Sequence, residues 1–475
     1  MQTQRYSLKF VVIFFLILML LIPQGFLMGL IGERVGWRSE AYQSIQQSWP
    51  GAQTLAGPLL SVPYRITYDI KEKVKDADGT EREVIKTAQL KDTLYVIPRQ
   101  LDIQSKLGSS MRYRGIYEVP VYSNHLQVIG AFNTQPLLDL VQAHKDKKIS
   151  FDAPQLSVLV RDQRGIARPP EIKWDNRRLA FKPGSQLDNA PSGMHVKLPE
   201  LSTDRVQQIP FAFDLELRGM QRMDYALLSE NTDVKLIADW PHPKFTGELL
   251  PEQREVNEQG FTAQWQASSF SYNVSGALEE CRKGQCFSLL QRAVGFELLQ
   301  PVDVYQQSER SVKYAALFII LTFVVLILFE LLKKLRVHPI QYTLVGLALT
   351  VFYLLLISLS EHISFLKAYV VAALASTGLL TFYFGAILHS RKLGVLLGSG
   401  LLGLYFILYI ILQAEDKALL MGSVLIFVVL AVLMLATRNL DWYALTHIEK
   451  SEKTGKPDRA GSGGILSSAA EQNPA

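Results

Sequence analysis

Two apolar regions bracket a long polar stretch, and this layout limits the chain to a membrane architecture. Residues 1–30 form one apolar segment, and residues 314–436 form a run of five more, broken by short charged or polar loops. A helix needs roughly 20 apolar residues to cross about 30 Å of hydrocarbon. The run after Lys9 meets that requirement. Arg5 and Lys9 could also serve as the basic start of a cleaved signal peptide. The apolar stretch is too long for one, however, and no small-x-small cleavage site follows, so a signal anchor is the better reading. The later spans read as 314–332, 340–360, 365–388, 393–412 and 418–436. Six spans are expected in all.

Charge sets the expected orientation. The formal net charge is +5. Residues 31–312 hold 34 Lys and Arg against 35 Asp and Glu, so the excess lies outside the polar stretch. A near-neutral soluble part argues against a nucleic-acid surface. Basic residues cluster on the cytoplasmic side of short loops. They recur after every second span: Lys333, Lys334 and Arg336; Arg391 and Lys392; then Arg438 and a tail with Lys450, Lys453, Lys456 and Arg459. Six spans therefore place both termini in the cytoplasm and the 280-residue insert outside it.

The insert, residues 32–311, begins with a helical stalk that Pro50-Gly51 ends. After it come short β-branched and aromatic runs separated by Gly, Pro, Asn or Asp. They predict a large, mainly-β, sandwich-like domain. The segment Gln135–Ala143 is the one clear internal helix, and residues 71–91 read as an exposed charged hairpin or loop. The expected parts are thus an anchor (1–31), a periplasmic β-rich domain (32–311), a five-helix bundle (312–443) and a disordered cytoplasmic tail (444–475).

The only cysteines, Cys281 and Cys286, flank Gly284 in CRKGQC. A zinc half-site would need a second Cys or His pair at ligand spacing, and none follows. In an oxidising compartment a disulfide across the turn is favoured. No metal and no cofactor is expected.

Motifs for chemistry are sparse. No P-loop, GxSxG, HExxH or GxGxxG occurs in the right context. WPHPKF places Trp240 and His242 around two prolines that stiffen the backbone. That segment either presents both side chains to a ligand or forms a corner that packs Trp240 into the core. Glu361 and His362 end the third span, where ionisable residues can serve a relay or ligand site or simply mark the interface. Glu330 stands at helical pairing distance from Lys333 and Lys334, and Arg438 and Asp441 frame the anchors Trp442 and Tyr443. No span carries a charge at its centre, which weakens an ion-transport reading. Glycines in the later spans permit close helix packing.

Several segments together carry a resemblance: AGPLLSVPY (56–64), WPHPKFTGELLP (240–251), REVNEQGFTAQWQAS (254–268), HPIQYTLVGLALTVFYLLLISLSEH (338–362) and TRNLDWY (437–443). They are collinear, and the chain resembles the CreD family of inner-membrane proteins from its first span to TRNLDWY. The resemblance implies a protein that maintains cell-envelope integrity under two-component control, with links to colicin tolerance and the β-lactam response. It supplies no catalytic residues. The expected function is non-enzymatic. The expected contacts are the lipid bilayer and an envelope protein or glycan, with no nucleic acid. The alternative is a membrane-embedded enzyme or flippase for a lipid-linked or glycan substrate.

Overall fold

The computed structural model describes residues 2–75, 81–300, 304–332, 337–413 and 418–438. The polar tail, the Lys333–Lys334–Arg336 loop, the Glu415–Lys417 loop, and Asp441, Trp442 and Tyr443 lie outside the described residues. The chain divides into two compact units. One comprises Met1–Val35 and Val302–Ala475, and the other Gly36–Pro301.

In the first unit the helices are α1 (Gln2–Ser48, which continues into the second unit), α4 (Val304–Lys313), α5 (Ala315–Leu332), α6 (Pro339–Ser360), α7 (Phe365–Ile387), α8 (Arg391–Gln413) and α9 (Ala418–Thr437); the short α2 (Gln135–Ala143) and α3 (Val274–Arg282) belong to the second unit. Among the described residues four helical segments are long and apolar enough to cross a membrane: Val11–Ser48, α6, α7 and α8. The pair α4 and α5, bent by 40°, makes a fifth when counted as one span. The sixth segment expected from sequence coincides with α9, whose apolar part runs over Leu420–Leu435.

Each helix forms for local reasons. Helix α6 starts with Pro339 at its first turn, and His338 caps it. The His338 ring nitrogen accepts from Ile340 N–H, and Gln341 reaches back to the His338 N–H at 2.9 Å. This reciprocal arrangement satisfies donors that the first turn leaves without partners. Large apolar side chains point outward, with Phe382 82% and Ile340 62% exposed, which suits a lipid-facing surface. Inward faces use small residues. Gly394 lies against the Gly385 backbone, Gly398 against Thr381, and Gly346 against Leu20 of α1. Without a Cβ these positions let helix axes approach closely.

The second unit holds seventeen strands: β1 (Gln53–Lys75), β2 (Glu81–Val96), β3 (Gln100–Arg114), β4 (Tyr117–Asn133), β5 (Lys148–Phe151), β6 (Gln155–Val160), β7 (Glu171–Trp174), β8 (Arg177–Ala180), β9 (Lys182–Pro183), β10 (Gly193–Lys197), β11 (Gln208–Met220), β12 (Arg222–Ala226), β13 (Asn231–Ala238), β14 (Pro243–Gly247), β15 (Gln253–Asn257), β16 (Gly260–Ser268) and β17 (Ala293–Leu298). A nine-stranded sheet runs β14-β17-β12-β1-β6-β10-β9, with β2 and β5 also paired to β1. An eight-stranded sheet runs β15-β16-β13-β3-β4-β11-β7-β8. The large β-sheet domain expected from sequence is present. Its two parallel pairings, β1 with β12 and β3 with β13, are long-range choices that local alternation does not encode. The charged segment is a long hairpin, in which β1 from Leu60 to Lys75 pairs with β2 from Glu81 to Val96.

Both sheets contribute to one buried apolar cluster. Strands β3, β11, β13 and β16 alternate buried and outward residues, so one face of the eight-stranded sheet is covered and the other is open. Aromatic contacts join the sheets. Phe261 on β16 meets Phe245 on β14 at 5.6 Å and Phe296 on β17 at 5.1 Å between ring centroids. A polar triangle lies within the same core. Ser105 donates to Asn124 Oδ1 at 2.7 Å, Asn124 donates to the Tyr225 hydroxyl at 3.2 Å, and Tyr225 lies 2.6 Å from Ser105 Oγ. Each group can give one hydrogen bond and take one, so three buried polar residues are satisfied without water. Burial pushes the Tyr225 hydroxyl pKa up to about 12.

Candidate binding cleft

The residues singled out from sequence fall in separate places. Trp240 is 9% exposed and donates its indole N–H to Leu299 O at 2.9 Å, while Leu299 N–H donates to His242 O at 3.1 Å. The two prolines thus set a pinned corner, with Trp240 packed inward and the His242 side chain exposed. Cys281 and Cys286 form a disulfide at the end of α3, where Gly284 takes a φ of 87° to turn the chain back. Both half-cystines are buried.

Glu361 lies in the other unit. Its side chain is 9% exposed and pairs with Arg34 Nε at 3.2 Å, and the Tyr305 hydroxyl donates to the same oxygen at 3.5 Å. His362 is exposed beside it. The two neighbours are therefore not a joint pair: the carboxylate is engaged inside the unit and the imidazole faces outward. Glu330 is buried. It accepts from the Tyr342 hydroxyl at 2.8 Å and from Val337 N–H at 3.3 Å. The Lys333 and Lys334 partners expected for it lie outside the described residues. Among those residues no group of three or more His, Cys, Asp or Glu could hold a metal ion.

The sequence reading missed the open face of the eight-stranded sheet. There a cleft of about 1110 Å³ has β3, β4, β11 and β13 as its floor, and β7, β8 and residues 168–170 as its side. The registers arrange its side chains in rows across the strands. Lys235, Gln104, Gln127 and Asp214 form one row, and Ile237, Lys106, His125 and Glu216 the next. A third row ends in Ala212, Lys173 and Arg178. Side chains on one face of a strand repeat every second residue, which puts these groups on the solvent side while Ser105, Leu126, Phe213 and Leu215 enter the core.

The side of the cleft is fixed by backbone contacts. Ala167 N–H donates to Glu216 O at 3.0 Å, Ile166 bridges to Leu217, and Arg168 Nε reaches Glu216 Oε2 at 3.5 Å. Pro169 and Pro170 then limit how far this segment can swing. At the outer edge of the floor, partial burial and the facing Asp233 raise the Asp102 pKa above the usual carboxylate value, with Lys235 opposing. The cleft thus offers amide, carboxylate, imidazole and cationic groups on a rigid floor. It can bind a polar ligand by several hydrogen bonds. Alternating polar residues in runs such as HLQVIGAF and PFAFDLELRG mark only a solvent face; the signal for a cleft is the register between strands distant in sequence.

A family model described as Inner membrane protein CreD matches residues 5–443. The Inner membrane protein CreD of Escherichia coli (strain K12) is 34% identical over 445 residues, covering 92% of this chain and 94% of its own. Among solved structures, the M1 zinc metallopeptidase from Deinococcus radiodurans matches 36% of this chain and 38% of its own at 8% identity, with a TM-score of 0.19. A two-domain mutant of an M1 zinc metallopeptidase bound to L-arginine matches 36% and 39% at 8% identity, with a TM-score of 0.18. Scores this low have no bearing on the fold.

Proposed function

The chain belongs to the CreD family of inner-membrane proteins, and on that premise we propose that it is a non-enzymatic envelope-integrity protein whose β-sheet unit binds an envelope component. In this reading six spans (α1, the bent α4–α5 pair, α6, α7, α8 and α9) anchor the chain with both termini in the cytoplasm. The alternating loop charges support that count. The β-sheet unit then lies in the periplasm, where the disulfide between Cys281 and Cys286 persists. Colicin tolerance and the β-lactam response are the phenotypes through which binding would show.

The observation that carries the reading is the polar cleft on the open face of the eight-stranded sheet. It combines a floor of paired strands with amide, carboxylate, imidazole and cationic groups turned to solvent, as a recognition surface requires. The test is genetic. Cells lacking the protein are complemented with Gln104→Ala plus Gln127→Ala, and envelope permeability and colicin tolerance are scored at matched protein level. Loss of complementation supports the reading, whereas full complementation by these and the other floor variants overturns it.

A second reading, a membrane-embedded enzyme or flippase for a lipid-linked or glycan substrate, draws on the partly buried Arg34–Glu361–Tyr305 cluster. It requires Glu361→Gln to abolish the phenotype in protein that still folds and reaches the membrane at normal level.

A further inference from the structure

The charges around the cleft are unevenly placed, and their spacing narrows the class of ligand. Lys106 on β3 and Lys235 on the adjoining β13 stand toward one side of the floor. Lys173 on β7 and Arg178 on β8 stand at the other, next to Arg168 on the side segment. Strands β4 and β11 run between them. Lys106 and Lys173 are thus three strand spacings apart, roughly 14 Å in the hydrogen-bonding direction, and four residues apart along the strands, roughly 13 Å, so they face each other diagonally across the floor. The ground between carries neutral amides and an acceptor: Gln104, Gln127 and Asp214. Arg168 is paired with Glu216. Lys106, Lys173 and Arg178 form no ion pair among the described residues.

Unpaired cations at both sides and a hydroxyl-binding middle fit a ligand with two anionic ends and a polyhydroxyl centre. We infer that the cleft takes the diphosphorylated disaccharide headgroup of a membrane glycolipid; this rests on the binding role proposed above. Phosphates would sit on Lys106 at one side and on Lys173 and Arg178 at the other, since charge-assisted bonds to phosphate are the strong ones. Sugar hydroxyls would donate to Asp214 and exchange hydrogen bonds with the two glutamines. Asp214 and Glu216 would repel a ligand with charge at its centre, so they select for anionic ends only. A membrane-borne source follows from connectivity. The β-sheet unit is joined in sequence to apolar helices on both sides, which holds it near the bilayer and raises the effective concentration of any ligand anchored there.

The test uses the full chain in nanodiscs and, as probe, a synthetic disaccharide bearing one phosphate on each sugar, followed by calorimetry. The expected result is saturable binding that weakens with salt. Removing one phosphate from the probe should weaken binding at least about tenfold, as should Lys106→Ala or Lys173→Ala separately. Tryptophan fluorescence of each variant checks that the fold is kept. Nanodiscs carrying the glycolipid should block binding of the free probe. Equal binding of the singly and doubly phosphorylated probes, no binding, or unchanged binding by both variants overturns the inference. Binding of the free probe without competition from the glycolipid overturns the membrane source. If the floor variants fail to complement in cells while the probe does not bind, the cleft keeps its role and this ligand class is wrong.

Discussion

Asp162 holds Arg164 at 2.6 Å, and through this pair the loop after β6 closes the end of the long α1 helix. Arg164 donates to the free carbonyls of Gln46 and Gln47, while Asp162 accepts from Gly51 N–H at 3.1 Å just past the helix. A cation at a helix C-terminus satisfies carbonyls that have no helical partner and opposes their dipole. Burial works to raise the Asp162 pKa, but bonds from Arg164 and the Gly51 and Arg164 N–H groups outweigh it, and the pKa is lowered. A carboxylate with a lowered folded pKa stabilises above its unfolded value, near about 4, and that stability is lost as the pH falls through the folded value. Asp162→Ala should therefore lower unfolding stability at pH 7 by about 1–2 kcal/mol, in line with a lost cap. The gap between the two proteins should shrink below about pH 4. A gap of equal size at pH 7 and pH 3, followed by tryptophan fluorescence, would refute the account.

The polar triangle in the core makes a second prediction. Tyr225→Phe removes one hydroxyl and leaves the Asn124 amide without its acceptor in a dry site. Leaving one buried group unsatisfied costs about 1–3 kcal/mol. Because Ser105 belongs to the same ring of hydrogen bonds, Ser105→Ala added to Tyr225→Phe should cost less than the sum of the two single changes. Strict additivity in denaturant unfolding would show that the three groups do not act as a unit.

These two cases show what could be read from sequence and what could not. Strand runs such as QIPFAFDLELRGM announce themselves, because their alternate residues face the core in β11. The helix Gln135–Ala143 and the stop at Pro50-Gly51 are local as well, set by side-chain periodicity and by proline. The Ser105–Asn124–Tyr225 triangle joins residues separated by up to 120 positions, and the cleft depends on the same long-range registers. Pairings of that kind are decided by global packing, and no window of sequence contains them. At the candidate sites the difference is sharper. Trp240 was legible as an anchor or a ligand group, and only its bond to Leu299 shows the packed role. Lys106 and Lys173 look like ordinary surface residues until the strand order sets them across one floor.

Close packing of α7 on α8 supplies a third prediction. A Cβ at Gly394 would stand 2.6 Å from Gly385 N and 2.9 Å from Thr381 O. Backbone cannot yield as a flexible side chain can, so the helices must part. Gly394→Ala should destabilise the purified protein in detergent by about 1–3 kcal/mol, the usual range for overpacking. Gly403 has nothing within 4 Å of an added Cβ, and Gly403→Ala on the same helix should be neutral or slightly stabilising. If both variants melt alike, α7 and α8 are not packed as described.

The last prediction concerns Arg34 and Glu361, which join α1 to the end of α6 at 3.2 Å. The Glu361 side chain is 9% exposed and that of Arg34 29%, so the pair is partly sheltered. Removing one partner of a buried pair leaves an uncompensated charge and costs about 3–5 kcal/mol; the exposure of Arg34 places this pair at or below the low end. Glu361→Ala should therefore destabilise the membrane unit more than Glu361→Gln, which keeps an acceptor for the Tyr305 hydroxyl. His362→Ala, one residue away but exposed, should have little effect. The melting of the full chain in detergent separates these outcomes. A structural pair predicts the order Glu361→Ala, Glu361→Gln, His362→Ala in decreasing damage, with envelope function following stability. If Glu361→Gln melts like the parent protein and yet abolishes the envelope phenotype, the carboxylate is needed for its charge or its proton, and the enzyme or flippase reading gains the site it requires.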